Sequence, residues 1–450
     1  LCAVRLLAAW ATPLSADEAY YRVWSHALAP GYLDHPPMVA LWIRAGTLIA
    51  GDTPLGIRLL GPIAALLGTL LLMQAASDLA PPTQNLGLRA AWLLNGTLLL
   101  NAGAIIMTPD TPLLLFWTAT IAAIARLIRT GNANWWLAAG LAAGLALDSK
   151  YTAALLAPSL LAWLIVVPAA RPWLRHWQPY AAAALALALF APVLAWNAHH
   201  GWASFARQGG REGDFHPGQA LRFLTELVAG QIGLATPLLF VVFCAGVSRC
   251  RRHNPGTALA FAVTAIPALV FLQHALGDRV QANWPSVIYP GAALAAALTA
   301  IPFWRPAAAT GLAISALLTF QAAADPFSLP RRLDFTLIRL GGWSQLAADA
   351  AQARDAAHAD FIAADEYGLA AELAFHLSGS VIGVAPRWSL FALPPAQLTG
   401  QTGILVRSTR RAGPPDPVIW PGATPAGTAI RARGGITAET YTLYRVGPPR

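Results

Sequence analysis

The chain has 450 residues, of which 56% are hydrophobic and only 11% charged, with a formal net charge of +9. Soluble domains carry roughly 25% charged residues, so a water-facing surface is excluded for most of this chain and lipid is its expected solvent. The positive balance does not point to nucleic acid, because the arginines are scattered between apolar runs rather than gathered in one patch. Anchoring at the membrane interface by Arg and some of the 17 Trp residues is the simpler expectation.

Leu6–Ala16 reads as the end of a first span, with further residues expected before Leu1. A secretory signal peptide is disfavoured, since a polar tract follows at once with no small-residue cleavage site. Eight later runs hold 19 to 25 residues without Asp, Glu, Lys or Arg: Leu59–Ser77, Ala90–Pro109, Tyr151–Ala170, Trp177–Ala198, Leu227–Ser248, Asn254–Gln273, Val280–Trp304 and Pro306–Ala324. A helix needs about 20 apolar residues to cross a bilayer. Thr111–Ala125 and Trp135–Leu147 are shorter and would borrow flanking residues. The expected count is about eleven spans. Continuous apolar runs without period-two alternation exclude a membrane β-barrel, so the fold class is an all-α polytopic membrane protein. Cys2, Cys244 and Cys250 lie in or beside these runs, with no metal-ligand spacing and no disulfide framework.

If the loops alternate, one set holds Arg89, Arg126, Arg129, Arg171, Arg175, Arg249, Arg251, Arg252 and Arg305, which marks the cytoplasmic side. The opposite set holds ten of the eleven carboxylates before Asp325, only Asp78 falling inside. Acids do little to set orientation. Their asymmetry leaves two readings, solvated loops or an acidic catalytic face. From Asp325 the texture changes: the last 126 residues carry 22 of the 51 charged residues and no spanning run. Residues 1–324 are therefore read as a transmembrane domain with a first outer loop at 15–54, and 325–450 as a small α/β extracytoplasmic domain. In the latter, Phe361–Ala364, Ser380–Ala385 and Ile404–Ser408 are expected strands and Tyr367–Leu377 a helix. Ile430–Arg433 and Thr440–Val446 are expected to pair as a hairpin around Gly434-Gly435.

The first outer loop opens on Ser15-Ala16-Asp17-Glu18-Ala19-Tyr20-Tyr21, where Ser15 or Asp17 can cap a helix. Tyr20, Tyr21, Trp24 and Leu28 form a stripe at helical spacing, suited to lying in the membrane interface. Asp17 and Glu18 are either helix-capping acids, worth roughly 0.3–1 kcal/mol through the helix dipole, or a general base for an acceptor hydroxyl or amine. Next, Gly31-Tyr32-Leu33-Asp34-His35-Pro36-Pro37-Met38 fixes Asp34 and His35 on a rigid turn. The candidate ligands there are a phosphate-linked donor, an acceptor or a divalent metal, against a simple satisfied Asp-His pair. Asp110, between Pro109 and Pro112, is a carboxylate at the membrane boundary, where burial is costly unless the group is hydrated or paired. Lys150 is the single lysine against 29 arginines, which suggests a place where a compact ammonium matters, for phosphate or for a salt bridge with Asp148. Trp196-Asn197 and His199-His200 lead into a loop containing Arg207, Arg211, Glu212 and Asp214, and Gln281 to Pro285 open another span. Both read either as an aromatic belt or as a lipid-phosphate or sugar pocket.

At these residues the chain resembles the GT-C membrane glycosyltransferases, of the protein O-mannosyltransferase (glycosyltransferase family 39) and lipid A aminoarabinose transferase kind. The matching segments are Asp17-Glu18-Ala19-Tyr20-Tyr21, Gly31 to Met38, Thr108-Pro109-Asp110-Thr111-Pro112, Ser149-Lys150-Tyr151-Thr152, Trp196-Asn197 and Asn283-Trp284-Pro285, in family order over roughly residues 15 to 290. The resemblance implies a polyprenyl-phosphate sugar donor and transfer on the extracytoplasmic face of a bacterial-type inner membrane. The acceptor would be a lipid, glycan or protein. It implies a first-loop acid in the catalytic role, here Asp17, with Asp110 as a second acid. Glu18, Tyr21, Asp34, His35, Lys150, Tyr151, Asn283 and Trp284 would line the donor and acceptor sites. Aminoarabinose transferases have an acid–lysine–proline turn where this chain has Asp34-His35-Pro36. That departure leaves the donor type open, together with any metal at Asp34 and His35; no cofactor is otherwise implied. The expected reaction is an inverting displacement. A transporter or flippase of lipid-linked sugars is the rival, but it favours charges deep within spans, and these spans are nearly charge-free. An oligosaccharide ligase or polymerase is a second rival, and a scaffolding membrane protein a third.

Overall fold

The computed structural model describes residues 1–80, 85–209, 217–379, 381–384, 386–391, 393, 397–411 and 413–449. The fold is mostly helical, with a five-stranded sheet near the C-terminus. Among the described residues, five helices are long and apolar enough to cross a membrane: Pro54–Asp78, Asp110–Thr130, Gln178–His199, Pro255–His274 and Trp304–Ala324. A sixth arises if Pro217–Ala235 and Pro237–Ser248, bent by 103° at their junction, form one span.

Sequence reading expected about eleven, which these long helices do not confirm; shorter apolar helices occur at Cys2–Ala11, Met38–Ala50, Trp135–Leu147, Tyr151–Val166 and Trp284–Leu298, and several of the apolar runs are interrupted. A charge-free run counts residues, whereas a helix also needs unbroken backbone hydrogen bonding. In Ala90–Pro109, Thr97 caps a new helix, so the run divides into Leu86–Asn95 and Leu98–Gly103. The run from Tyr151 begins as a 3₁₀ turn, Tyr151–Leu155, before Leu156–Val166. The run from Val280 likewise passes through the 3₁₀ turn Trp284–Val287 into Ile288–Leu298. At Thr236 the backbone takes φ 73°, and Pro237, which has no N–H, begins the next helix in a new direction.

Contacts divide the chain into two compact units. The first comprises Leu1–Leu6, Pro30–Val39 and Arg58–Leu317, and its core is built of Leu, Ala, Val and Trp from successive helices. Small residues let these helices approach closely. A Cβ on Gly140 would lie 2.4 Å from the Ala182 carbonyl oxygen, so Trp135–Leu147 and Gln178–His199 touch nearly backbone to backbone. Asp78, the one acid assigned to the inner side, ends Leu60–Asp78 and pairs with Arg126 (2.7 Å) and Arg129 (2.8 Å) in the last turns of Asp110–Thr130. Asp110 begins that helix, so the two acids lie at opposite ends of about 30 Å of helix, at 1.5 Å per residue.

The second unit comprises Leu7–Ala29, Ala40–Ile57 and Leu318–Arg450, so the helix Ala16–His26 clusters with the C-terminal residues. Its strands are β1 (Phe361–Ala364), β2 (Val381–Gly383), β3 (Gly403–Ser408), β4 (Thr424–Arg433) and β5 (Ile436–Val446), in the order β2-β1-β3-β5-β4. β1 pairs in parallel with β2 and β3, while β5 is antiparallel to β3 and β4. The helix Tyr367–His376 makes the crossover from β1 to β2. All four residues of β1 are buried: Ile362 and Ala364 pack in one core with Trp343, Leu346 and Leu373, and Phe361 and Ala363 in the other with Trp420. A parallel strand covered on both faces reads as continuous hydrophobicity, as this one does. The hairpin read around Gly434-Gly435 is present and longer than expected, from Thr424↔Arg445 to Arg433↔Ile436. Of the strand expected over Ser380–Ala385, residues 380 and 385 lie outside the described residues.

Candidate active site

In the first unit, Asp110 is the first residue of its helix, where the dipole favours a negative side chain. The group is buried, yet it is surrounded by donors. Lys150 Nζ donates to Oδ1 and Oδ2 at 2.8 and 2.9 Å, Asn283 Nδ2 donates to Oδ2 at 2.9 Å, and Ser286 Oγ donates to Oδ1 at 2.7 Å. Lys150 is itself only 5% exposed. It sits in extended backbone between Trp135–Leu147 and the turn Tyr151–Leu155, and its N–H is held by the Ala146 carbonyl. Three segments far apart in sequence thus converge on one ionised pair. Desolvation makes such a pair viable only when its remaining hydrogen-bonding capacity is met, which Asn283 and Ser286 do.

The Asp34–Pro37 turn belongs to the same unit and is pinned at several points. Arg207 Nε donates to Asp34 Oδ1 at 2.7 Å, and Gln208 Nε2 donates to the Asp34 carbonyl at 2.7 Å, both from the helix Ala203–Gly209. The Tyr32 N–H meets the His35 carbonyl, and the Met38 N–H meets the Asp148 carbonyl at 3.0 Å. Gly31 lies against the Trp196 ring, which a Cβ would approach to 3.1 Å. Asp148 follows directly on Trp135–Leu147; burial pushes its carboxyl up to about 7, and its Oδ1 has no hydrogen-bond partner among the described residues. Tyr151 Oη is 2.6 Å from Ser204 Oγ, and Asn197 is fully buried with its amide on the Val193 carbonyl. Trp284 lies beside His274, with ring centroids 5.9 Å apart. Arg211, Glu212 and Asp214 lie outside the described residues.

A divalent metal at Asp34 and His35 is not favoured by this donor set. Asp34 is engaged by a guanidinium, and no group of three or more His, Cys, Asp or Glu side chains suited to a metal occurs among the described residues.

Asp17, Glu18 and Tyr21 belong to the second unit. Ser15 caps their helix: its hydroxyl accepts the Glu18 N–H, and the Glu18 carboxylate accepts the Ser15 N–H at 3.0 Å and hydroxyl at 2.9 Å. Glu18 is fully buried in this capping box. Asp17 is exposed, and its Oδ1 accepts the Tyr367 hydroxyl at 3.1 Å. Tyr20 and Trp24 are 1% and 0% exposed, and Tyr21 is also buried. Tyr20 and Trp24 pack on Phe391, and Tyr20 also on Tyr367. These rings were expected at the membrane interface; protein covers them instead, and of the stripe Leu28 alone is exposed.

Comparison with known proteins converges on one superfamily. Residues 34–196 match the family model described as dolichyl-phosphate-mannose-protein mannosyltransferase. The chain is 26% identical to the lipid A galacturonosyltransferase RgtD of Rhizobium johnstonii, over 97% of this chain and 93% of that one. Its fold matches ArnT of Cupriavidus metallidurans, solved in the apo state and bound to undecaprenyl phosphate, with a TM-score of 0.65, 15–16% identity, and coverage of 98% of this chain and 96% of that one. The chain thus resembles membrane glycosyltransferases over nearly its whole length and has the fold of ArnT. The arabinofuranosyltransferase AftD from Mycobacteria shares the fold at a TM-score of 0.50 and 14% identity, over 99% of this chain and 39% of that one.

Sequence reasoning missed Ser286 and Gln208 in the first unit and Tyr367 in the second. Ser286 stands one residue beyond the Asn283-Trp284-Pro285 segment, a signal that was available. Gln208 and Tyr367 carried none: each acts through a contact more than 170 positions away in the chain.

Proposed function

We propose that this enzyme transfers one sugar from a polyprenyl-phosphate carrier to a lipid A-type glycolipid on the extracytoplasmic face, with inversion at the anomeric carbon. The supporting observation is the Asp110–Lys150 pair, held by Asn283 and Ser286 at the start of a spanning helix. A relative of the same fold binds undecaprenyl phosphate, and a relative aligned over nearly the whole chain is a lipid A galacturonosyltransferase, which makes galacturonic acid the first sugar to test.

In this reading Asp17 removes the proton from the acceptor hydroxyl. The acceptor oxygen attacks the anomeric carbon, the bond from that carbon to the phosphate oxygen breaks, and polyprenyl phosphate leaves with the electron pair. The exposure of Asp17 suits a base that must reach an incoming acceptor. Cations stabilise the departing phosphate. Lys150 directs its ammonium protons to the two Asp110 oxygens and keeps a third proton for a phosphate oxygen. Arg207 spends Nε on Asp34 and retains a guanidinium fork for the same purpose.

The test is mass spectrometry of envelope lipids from cells with the gene, without it, and with Asp17→Asn in the full chain. Loss of one sugar mass from a glycolipid, in both the deletion and the Asp17→Asn strain, is expected. Substantial transfer by Asp17→Asn would remove the base assignment. A lipid-linked sugar that accumulates with no sugar missing from any product would overturn the transferase reading in favour of a flippase.

A further inference from the structure

The mechanism leaves one contact in the second unit unused. Tyr367 begins the crossover helix of the C-terminal sheet, and its hydroxyl reaches Asp17 across 350 positions of sequence. The contact is built by several groups. Tyr367 packs on Tyr20 at 4.6 Å between ring centroids with planes at 62°, an edge-to-face arrangement. On the same phenol ring lies the Arg387 guanidinium, 4.0 Å from the centroid, with Tyr20 5.7 Å away. Gly368, the next residue, meets Ala16 so closely that a Cβ there would come within 2.9 Å of the Ala16 Cβ. The helix bearing Tyr367 can therefore approach the helix bearing Asp17 only because position 368 has no side chain.

We infer that Tyr367 is a positioning residue for Asp17, so that the C-terminal sheet domain supplies part of the catalytic apparatus and is not an appendage to it. The inference rests on the reading of Asp17 as the base. A hydroxyl donated to one carboxylate oxygen fixes the rotation of the carboxyl group and holds it ionised, ready to accept a proton. The 3.1 Å separation is somewhat long for O–H···O, as catalytic hydrogen bonds often are before substrate binds. The cation over the Tyr367 ring polarises the phenol and makes its hydroxyl a better donor. Among the described residues, Glu18, held in the capping box, follows Asp17 in sequence, and Glu366, the N-cap of the Tyr367 helix, precedes Tyr367.

The experiment uses the full-length enzyme in membranes of the source organism, which supply the native donor and acceptor, with product formation followed by mass spectrometry from pH 5 to 9. Tyr367→Phe keeps the ring and its contacts with Tyr20 and Arg387 and removes only the hydroxyl. The rate is expected to fall about 10-fold, as for a loosened catalytic group. Removing a donor to the ionised form raises a carboxyl pKa, so the acid limb of the rate profile is expected to move up by about half a pH unit. Binding of undecaprenyl phosphate to the purified variant should match wild type. Gly368→Ala should lower the rate in the same way, and Ala16→Gly added to it should restore the rate, because the clash is with the Ala16 Cβ. A Tyr367→Phe enzyme with the wild-type rate and an unmoved acid limb overturns the inference, as does a Gly368→Ala defect that Ala16→Gly fails to relieve. Asp17→Asn separates the two readings. If it stays active, the base assignment falls; if it is inactive while Tyr367→Phe behaves as wild type, only the positioning role falls.

Discussion

Lys150 Nζ lies 2.8 Å from Asp110 Oδ1, and both residues are buried. The single lysine of the chain is thus matched to a carboxylate that starts a spanning helix. Breaking a buried pair by removing one partner leaves a charge without compensation and costs roughly 3–5 kcal/mol. Lys150→Met should therefore lower the melting temperature in detergent and abolish transfer. Lys150→Arg should rescue neither fully, since a planar guanidinium does not fit the place of a compact ammonium held among Asp110, Asn283 and Ser286. Combining Lys150→Met with Asp110→Asn should recover much of the stability and none of the activity. Unchanged melting of Lys150→Met would show that the pair does not hold these segments together.

Arg207 and Asp34 form a more open pair, with 35% and 11% of their side chains exposed. An ion pair of this exposure contributes about 1 kcal/mol or less to stability. Arg207→Ala should accordingly melt within a few degrees of wild type. Its transfer rate should fall about 10-fold or more, because the Asp34–Pro37 turn loses one of its ties and small misplacements are costly in catalysis. Stability and rate measured on the same preparation check the split. A large loss of stability with an intact rate would assign the pair to folding alone.

How far the sequence was legible follows from which interactions are local. Asp110, Lys150 and Asn283 stood out as isolated polar residues at the ends of apolar runs, and the structure brings these three together. β1 and the Gly434-Gly435 hairpin were legible because short hydrophobic stretches between charged residues have few other solutions. Tyr20, Tyr21 and Trp24 misled for the opposite reason: an aromatic stripe has the same spacing whether lipid or protein covers it. Phe391, which covers Tyr20 and Trp24, and Tyr367, which covers Tyr20, come from more than 300 residues away. The span count is not confirmed: at Thr97, Tyr151 and Thr236 backbone geometry interrupts an apolar run without any charge to announce it.

Asp148 gives a pH dependence of definite sign. Burial raises its carboxyl from 3.8 to about 7 in the folded protein. Between those two values the native state holds a proton that the unfolded state has lost, so stability falls as pH rises through that window. The contribution is complete below about pH 4 and gone above about pH 7. Asp148→Asn removes the titrating group and keeps the backbone carbonyl that accepts the Met38 N–H. Its melting temperature should match wild type at low pH and exceed it at pH 8. Parallel melting curves for the two proteins across this range would contradict the assignment.

Gly140 tests whether close helix packing holds the first unit together. A Cβ there would lie 2.4 Å from the Ala182 carbonyl oxygen and 2.6 Å from its Cα, both backbone atoms that cannot rotate away. Gly140→Ala must separate Trp135–Leu147 from Gln178–His199, and overpacking of this kind costs about 1–3 kcal/mol. Gly233 is the control: it lies inside Pro217–Ala235, and among the described residues nothing beyond its own stretch of helix comes within 4 Å of an added Cβ. At that position alanine is the better helix former by up to about 1 kcal/mol, so Gly233→Ala should be neutral or mildly stabilising. Because Lys150 follows the Gly140 helix by three residues, Gly140→Ala should also slow transfer, through displacement of Lys150 relative to Asp110. Thermal melts and transfer rates of the two alanine variants, measured side by side, decide the matter: equal behaviour would mean that the helix contact at Gly140 does not constrain the site.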